Sequence, residues 1–272
     1  YQFNTYFMLW SYCITFYLDV ANDDMRIGLK CYLLFNGGDD RVSVLTVDNI
    51  SKKINSKTIL QDVSFNLEKG EIVGLVGANG AGKTSLMKVI LGYSNYQKGH
   101  YKVVDSGSKR SSIGALIESP GVYPFMSGYD NLKLLNESKD NSDIDDIVTK
   151  LKMKDYIHNK AKTYSLGMKQ KLGIAIAFLN DPKLIILDEP MNGLDPRAVR
   201  DVRNLILDKA QQGITFLISS HMLSELVKIT DAILIIDEGK IVKETTREEI
   251  EQHDAENFET VLLDIIDKEG DA

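Results

Sequence analysis

Eight consecutive residues, Gly77-Ala78-Asn79-Gly80-Ala81-Gly82-Lys83-Thr84, match the pattern G-x-x-x-x-G-K-[ST]. Glycines at positions 77, 80 and 82 allow successive backbone N–H groups to converge on one concavity that holds phosphate without side-chain charge. Lys83 adds a point charge for β and γ phosphates, the Thr84 hydroxyl is a magnesium ligand, and Ser85 begins a helix whose positive end faces the same anion. Further along, Asp188-Glu189-Pro190 closes the apolar run Leu184-Ile185-Ile186-Leu187. An aspartate there can reach magnesium, and the adjacent glutamate can orient an attacking water or accept its proton. Together the two motifs describe phosphoryl transfer from a nucleotide to water.

Those residues need a buried sheet to hold them. Glu71 to Val76 is a short run with no polar face, as expected of a strand covered on both sides, and it enters the glycine loop directly. Ser85 to Leu91 reads as the helix after the loop, and Lys183 to Leu187 and Thr215 to Ile218 read as further strands. Val42 to Ile50 and Leu60 to Leu67, around an Asn55-Ser56-Lys57 turn, predict an antiparallel pair. Ser127 is placed to cap a helix through Leu135, while Ile144, Ile147, Val148 and Leu151 recur at helical spacing. The charged run from Lys139 to Asp146 is expected to be a solvated linker between these two helices. Ser165 caps a helix whose apolar face includes Leu172, Ile176 and Leu179. Ala232 to Ile236 and Ile241-Val242, joined by Glu238-Gly239, form a hairpin signal.

Composition narrows the class. The 272 residues are 43% hydrophobic and 26% charged, ordinary for a globular chain. A net charge of -7 offers no broad affinity for nucleic acid or anionic lipid, so no nucleic-acid partner is expected. Two cysteines, Cys13 and Cys31, supply neither a disulfide framework nor a four-ligand zinc site. Both of them fall in the first 40 positions, together with 10 of the 22 aromatic residues, Trp10 among them. Residues 1–18 lack a basic start and a cleavage site, and their polar interruptions make a membrane span marginal. Residues 1–40 are therefore expected to be an extraneous or poorly ordered segment, such as a translated upstream stretch. Residues 41–246 form the main domain, with a helical subdomain at about 120–180. Residues 247–272 form an acidic tail whose Phe258, Val261, Leu262, Ile265 and Ile266 make a short helical stripe.

Ser165-Leu166-Gly167-Met168 opening a helix lies between the glycine loop and Asp188-Glu189. After that pair come Asn192-Gly193-Leu194-Asp195 and then Ser219-Ser220-His221. In this order the motifs resemble the nucleotide-binding cassette of ABC transporters, over roughly Val44 to Lys243. The resemblance implies a P-loop ATPase cassette: an α/β fold with a mixed β core, an antiparallel β subdomain and an inserted α-helical subdomain. It implies ATP and Mg2+ as cofactors, a membrane permease on a separate chain, and a homodimer or paired cassette closed by ATP at the cytoplasmic face of the membrane. Ser165 and Gly167 would then reach the γ phosphate held by the other subunit. Asp195 would join the two sites, and His221 would act with Glu189 and Lys83 in catalysis.

Three departures from the common cassette stand out. Leu166 and Met168 differ from the usual signature. The stretch from Ser51 to Asn55 offers only Ile54 where an aromatic residue normally stacks on adenine, so stacking should be weaker. Glu118 occupies the place of a glutamine that senses magnesium and the permease. A carboxylate there would repel the γ phosphate unless magnesium or a basic group lies nearby, so Glu118 is expected to bind magnesium, directly or through water. Glu118 through Pro124, with the Ser165-Leu166-Gly167-Met168 signature, resembles the bacitracin-resistance and lantibiotic-immunity exporter ATPases, which implies a peptide antibiotic or bacteriocin as cargo. The alternative is a nucleotide-dependent regulatory or sensor module coupled to a permease without sustained turnover.

Overall fold

The computed structural model describes residues 42–104, 113–138, 140–221, 223–246 and 249, and the backbone of residues 7–9, 12–14, 16–21 and 24–29. The chain divides into two units at Arg41/Val42. In the first, β1 (Phe7–Leu9) pairs antiparallel with β2 (Tyr12–Ile14), and β3 (Phe16–Ala21) with β4 (Asp24–Leu29). The side chains of that unit, and the tail stripe from Phe258 to Ile266, lie outside the described residues.

The second unit opens with a hairpin of β5 (Ser43–Ile54) and β6 (Lys57–Glu68). Its turn residues Asn55 and Ser56 have φ of 46° and 69°, the left-handed pair that a two-residue hairpin turn requires. The chain then runs through β7 (Ile72–Val76), α1 (Lys83–Ile90), β8 (Lys98–Val103) and β9 (Ile113–Leu116). Three helices follow: α2 (Gly128–Leu135), α3 (Ser142–Lys150) and α4 (Leu166–Ala177). The rest alternates as β10 (Leu184–Asp188), α5 (Pro196–Gln211), β11 (Thr215–Ser219), α6 (Leu223–Leu226), β12 (Ala232–Asp237) and β13 (Lys240–Thr246).

β8 joins the hairpin to make a three-stranded antiparallel sheet in the order β6-β5-β8. The main sheet runs β13-β12-β7-β11-β10-β9, all parallel except the β12–β13 hairpin. Every residue of β7, β10 and β11 is buried, as expected for strands with cover on both faces. Alternation along these strands divides the core into two layers. Ile72, Ile185, Leu187, Phe216 and Ile218 pack with α2 to α5, whereas Val73, Leu75, Ile186 and Leu217 pack with α1, β5 and β6.

Two details bear on packing. A Cβ added at Gly114 on β9 would lie 1.8 Å from the Ala177 carbonyl oxygen at the end of α4. Gly114→Ala must therefore push helix and sheet apart, and it is expected to lower the unfolding free energy by about 3 kcal/mol, at the upper end of overpacking costs. Urea denaturation measures this, and an unchanged midpoint would contradict the close packing.

The linker expected at Lys139 to Asp146 is corrected by the structure, because α3 already begins at Ser142. Asp143 and Asp145 occupy its first turn, where carboxylates are favoured by the free N–H groups and the positive helix end. A charged run thus also serves as a helix start. Ile144, Ile147 and Val148 of that helix are buried, in keeping with their spacing.

Candidate functional site

Parallel pairing brings three strand ends to one edge. Asp188 at the end of β10 is the in-register neighbour of Ser219 at the end of β11, and Ser219 in turn neighbours Leu75 of β7. Residues 77–82, Asp188-Glu189 and Ser219-Ser220-His221 all leave the sheet there. This is the edge at which open α/β sheets hold ligands.

The loop after β7 is shaped by contacts only glycine allows. A Cβ at Gly77 would sit 2.0 Å from the Ile236 carbonyl oxygen, and Gly82, which caps α1, has φ of 115°. The Ala81 carbonyl accepts from Gly239 N–H at 2.9 Å, so the tip of the β12–β13 hairpin braces the loop from outside. Lys83 is only 9% exposed, and its Nζ donates to the carbonyls of Gly77 at 2.6 Å and Ala78 at 3.1 Å. An ammonium has three N–H donors, and two are spent holding it across the loop mouth, which leaves one for an anion.

Behind the loop runs a chain of short hydrogen bonds. Thr84 Oγ1 donates to Asp188 Oδ2 at 2.8 Å, and Ser219 Oγ donates to Asp188 Oδ1 at 2.6 Å. Ser219 Oγ also accepts from Glu189 N–H at 3.0 Å, so one hydroxyl orients both acidic residues. Asp188 is buried, and such a carboxylate is tolerated because both oxygens are bonded. Its bond to Thr84 gathers two hard oxygen ligands, the pairing that magnesium favours beside substrate phosphate.

Glu189 has φ of 50°, a left-handed conformation that costs a non-glycine residue roughly 1 kcal/mol or more. Its surroundings over-determine it. Its N–H faces Ser219, and its carbonyl and that of Pro190 accept from Gln170 Nε2 at 3.3 and 3.1 Å. Its carboxylate Oε2 accepts from His221 N–H at 3.2 Å and faces His221 Nδ1 at 2.7 Å. An ionised carboxylate only accepts, so Nδ1 carries the proton of that contact.

The remaining predicted residues are placed differently. Glu118 lies two residues beyond β9 with φ of 61°, and its Oε1 is bonded to Lys88 Nζ at 2.6 Å, not to the Thr84–Asp188 pair. Of the two ways to offset its charge, the structure supplies the basic group. Ser165 Oγ accepts from Met168 N–H at 3.3 Å and caps α4. Asp195 caps α5 by accepting from Arg197 and Ala198 N–H, and the bond to Ala198 above all holds its carboxyl below the usual carboxylate range. Among the described residues, no hydrogen bond joins Ser165, Gly167 or Asp195 to residues 77–84. Ile54 ends β5 exposed to solvent.

Sequence reasoning assigned no role to Ser219 as a partner of Asp188, to Gln170, or to Lys88. Only Lys88 left a signal, four residues after Thr84 and so on the same side of α1.

The sequence model of the ABC transporter family matches residues 60–192. The lantibiotic transport ATP-binding protein SrtF of Streptococcus pyogenes is 39% identical over 208 residues, spanning 74% of this chain and 90% of that protein. The bacitracin transport ATP-binding protein BcrA of Enterococcus faecalis is 35% identical over 231 residues, covering 81% and 75% respectively. The chain belongs to the ABC transporter ATP-binding family. Among solved structures, an ATP-binding subunit of an ABC transporter superposes with a TM-score of 0.72 at 25% identity, covering 81% of this chain and 99% of that one. The ABC cassette described here is accordingly a nucleotide-binding ATPase with the P-loop ATPase fold. Among its described residues, no helix is long and apolar enough to cross a membrane.

Proposed function

We propose that this ABC cassette powers export of a peptide antibiotic, bacteriocin or similar compound through a membrane permease on a separate chain, lying peripherally at the cytoplasmic face. The Thr84–Asp188–Ser219 hydrogen-bonded chain beside the Glu189–His221 pair carries the catalytic half of that reading. Residues 77–84 hold the phosphates, and Lys83 offsets their charge. Thr84 and Asp188 would hold magnesium, which when bound neutralises charge building on the phosphate oxygens. Glu189 orients the water, and His221 holds Glu189 through Oε2 and presents its ring beside it. Ser165, Leu166 and Gly167 face the nucleotide of a second cassette, so ATP closes two subunits and hydrolysis reopens them.

The export half draws on the relatives' substrates and on one surface. Tyr123 and Phe125, in the loop after Glu118, are 52% and 77% exposed. A groove at the start of the same loop is lined by Tyr93, Ile117, Ser119, Pro120 and Ile176, a seat for a permease segment. Co-expression with its permease is expected to confer resistance to bacitracin or a lantibiotic, and Lys83→Ala to abolish it. Glu118→Gln, which removes the charge from the contact with Lys88, is expected to change resistance per ATP hydrolysed, as is Glu118→Ala, which removes the contact. Unaltered transport per ATP in both variants would reduce Glu118 to a strand-end carboxylate.

A further inference from the structure

Gln170 is 6% exposed and sits in the second turn of α4, the helix that begins at Ser165 and Leu166. Its side-chain amide nitrogen spans 19 and 20 residues to the carbonyls of Glu189 and Pro190, at 3.3 and 3.1 Å. A primary amide carries two N–H donors, which matches two carbonyl acceptors, whereas a carboxylate of the same shape would set oxygens against them. Both carbonyls follow the Cα of the residue held at φ of 50°, while the N–H that precedes it is held by Ser219 Oγ. The peptide planes on either side of that Cα are thus each tied down, the following one by Gln170, so the amide helps to fix the direction in which the Glu189 side chain leaves the backbone.

A second contact joins the same two segments. A Cβ at Gly167 would lie 3.0 Å from the Gly193 carbonyl oxygen, and one at Gly193 would lie 2.7 Å from Leu166 Cδ2. The first turn of α4 thus rests on the loop that leads to Asp195, while the second turn holds Glu189. At about 1.5 Å of rise per residue, Ser165 and Gln170 are separated by roughly 7.5 Å along the axis of one helix. A helix does not stretch over that distance, so displacement at Ser165 is carried to Gln170.

We propose that Gln170 is a positioning residue that makes the aim of Glu189 depend on where the cassette's own α4 is docked. This rests on the reading above, in which Ser165 meets the nucleotide of the second cassette. Each subunit then senses its partner's nucleotide with the start of α4 and, through Gln170, sets the carboxylate that serves its own nucleotide. Hydrolysis at one site is thereby conditional on occupancy of the other, without contact between the two phosphates.

The test uses Gln170→Leu and Gln170→Glu in the full chain, with ATP affinity, kcat and ATP-driven dimerisation measured separately. Misplacing a catalytic group by about 1 Å can cost 100-fold, so kcat is expected to fall roughly 10- to 100-fold. ATP affinity should stay within about two-fold, the split expected when only the transition state is affected. In a Glu189→Gln background, either substitution should leave the ATP-bound dimer intact by size exclusion, since docking of α4 comes before the positioning of residue 189. Unchanged kcat in both variants overturns the proposal. So does loss of the dimer together with turnover, which would make Gln170 a support for α4 itself. If Leu fails to fold, Glu decides, because it keeps the volume while replacing the two donors by oxygens that cannot bond the carbonyls. A wild-type chain that hydrolyses ATP yet never dimerises overturns the role of Ser165 instead, and is recognised as such before any variant is read.

Discussion

Glu189→Gln is expected to lower ATP turnover by about 10²- to 10⁴-fold, the range of a positioned general base, while ATP continues to bind. The substitution is nearly isosteric, and the contacts that hold residue 189 survive it. Gln170 and Ser219 address its backbone, and an amide oxygen still accepts from His221 N–H and Nδ1–H. What is lost is the negative charge that polarises the water. Binding energy then accumulates without release, and the chain should elute as a stable dimer with ATP and magnesium. Turnover within ten-fold of wild type would remove Glu189 from the chemistry. A monomer with ATP, beside a catalytically dead variant, would instead leave Glu189 in place and contradict closure of two cassettes.

The phosphate loop was legible because everything it needs is contiguous: one apolar strand, the glycines at 77, 80 and 82, a lysine and a threonine within Ile72 to Thr84. The central strands were legible for a similar local reason, since Leu184 to Leu187 or Phe216 to Ile218 have no polar face to present to water. What escaped depends on sheet order. β7, β10 and β11 are adjacent in the order β7-β11-β10, although β9 lies between β7 and β10 in sequence. The pairing of Asp188 with Ser219 follows from parallel register, and no local pattern announces it. Glu118 and Lys88 are 30 residues apart and meet only because parallel pairing brings the end of β9 to the edge from which α1 starts. The start of α3 was misplaced because acidic residues signal solvent and a helix N-terminus equally well, and only burial of Ile144 separates the two.

The strained backbone at Glu189 has a reading consistent with its neighbours. In an ordinary turn a left-handed glutamate would be replaced by glycine or asparagine at lower cost. Here Gln170 of α4, Ser219 at the end of β11 and His221 just beyond it each bond the residue. Under the proposed role of Glu189, that cost is acceptable because the direction of one carboxylate then matters more than local stability.

Lys83→Ala acts earlier in the cycle. The ammonium is pinned between the Gly77 and Ala78 carbonyls with one donor left, so its charge meets the phosphates with little ordering cost on binding. A charge-assisted hydrogen bond contributes about 1.5–3 kcal/mol, so ATP affinity should fall roughly 10- to 150-fold. Turnover should fall further, because charge on the transferring phosphoryl oxygens grows toward the transition state and Lys83 is the fixed side-chain cation of the loop. Folding should persist, since the two released carbonyls lie at the loop mouth where water can satisfy them, and a thermal melt checks this in the same preparation. Fluorescent-nucleotide titration and phosphate release then separate this variant from Glu189→Gln: the lysine variant should show weak binding and no ATP-driven dimer, the glutamine variant tight binding and a trapped one. Wild-type hydrolysis by Lys83→Ala would sink the assignment of residues 77–84 as the phosphate loop, and an ATP-driven dimer at ordinary nucleotide concentrations would show that closure does not depend on capture by this lysine.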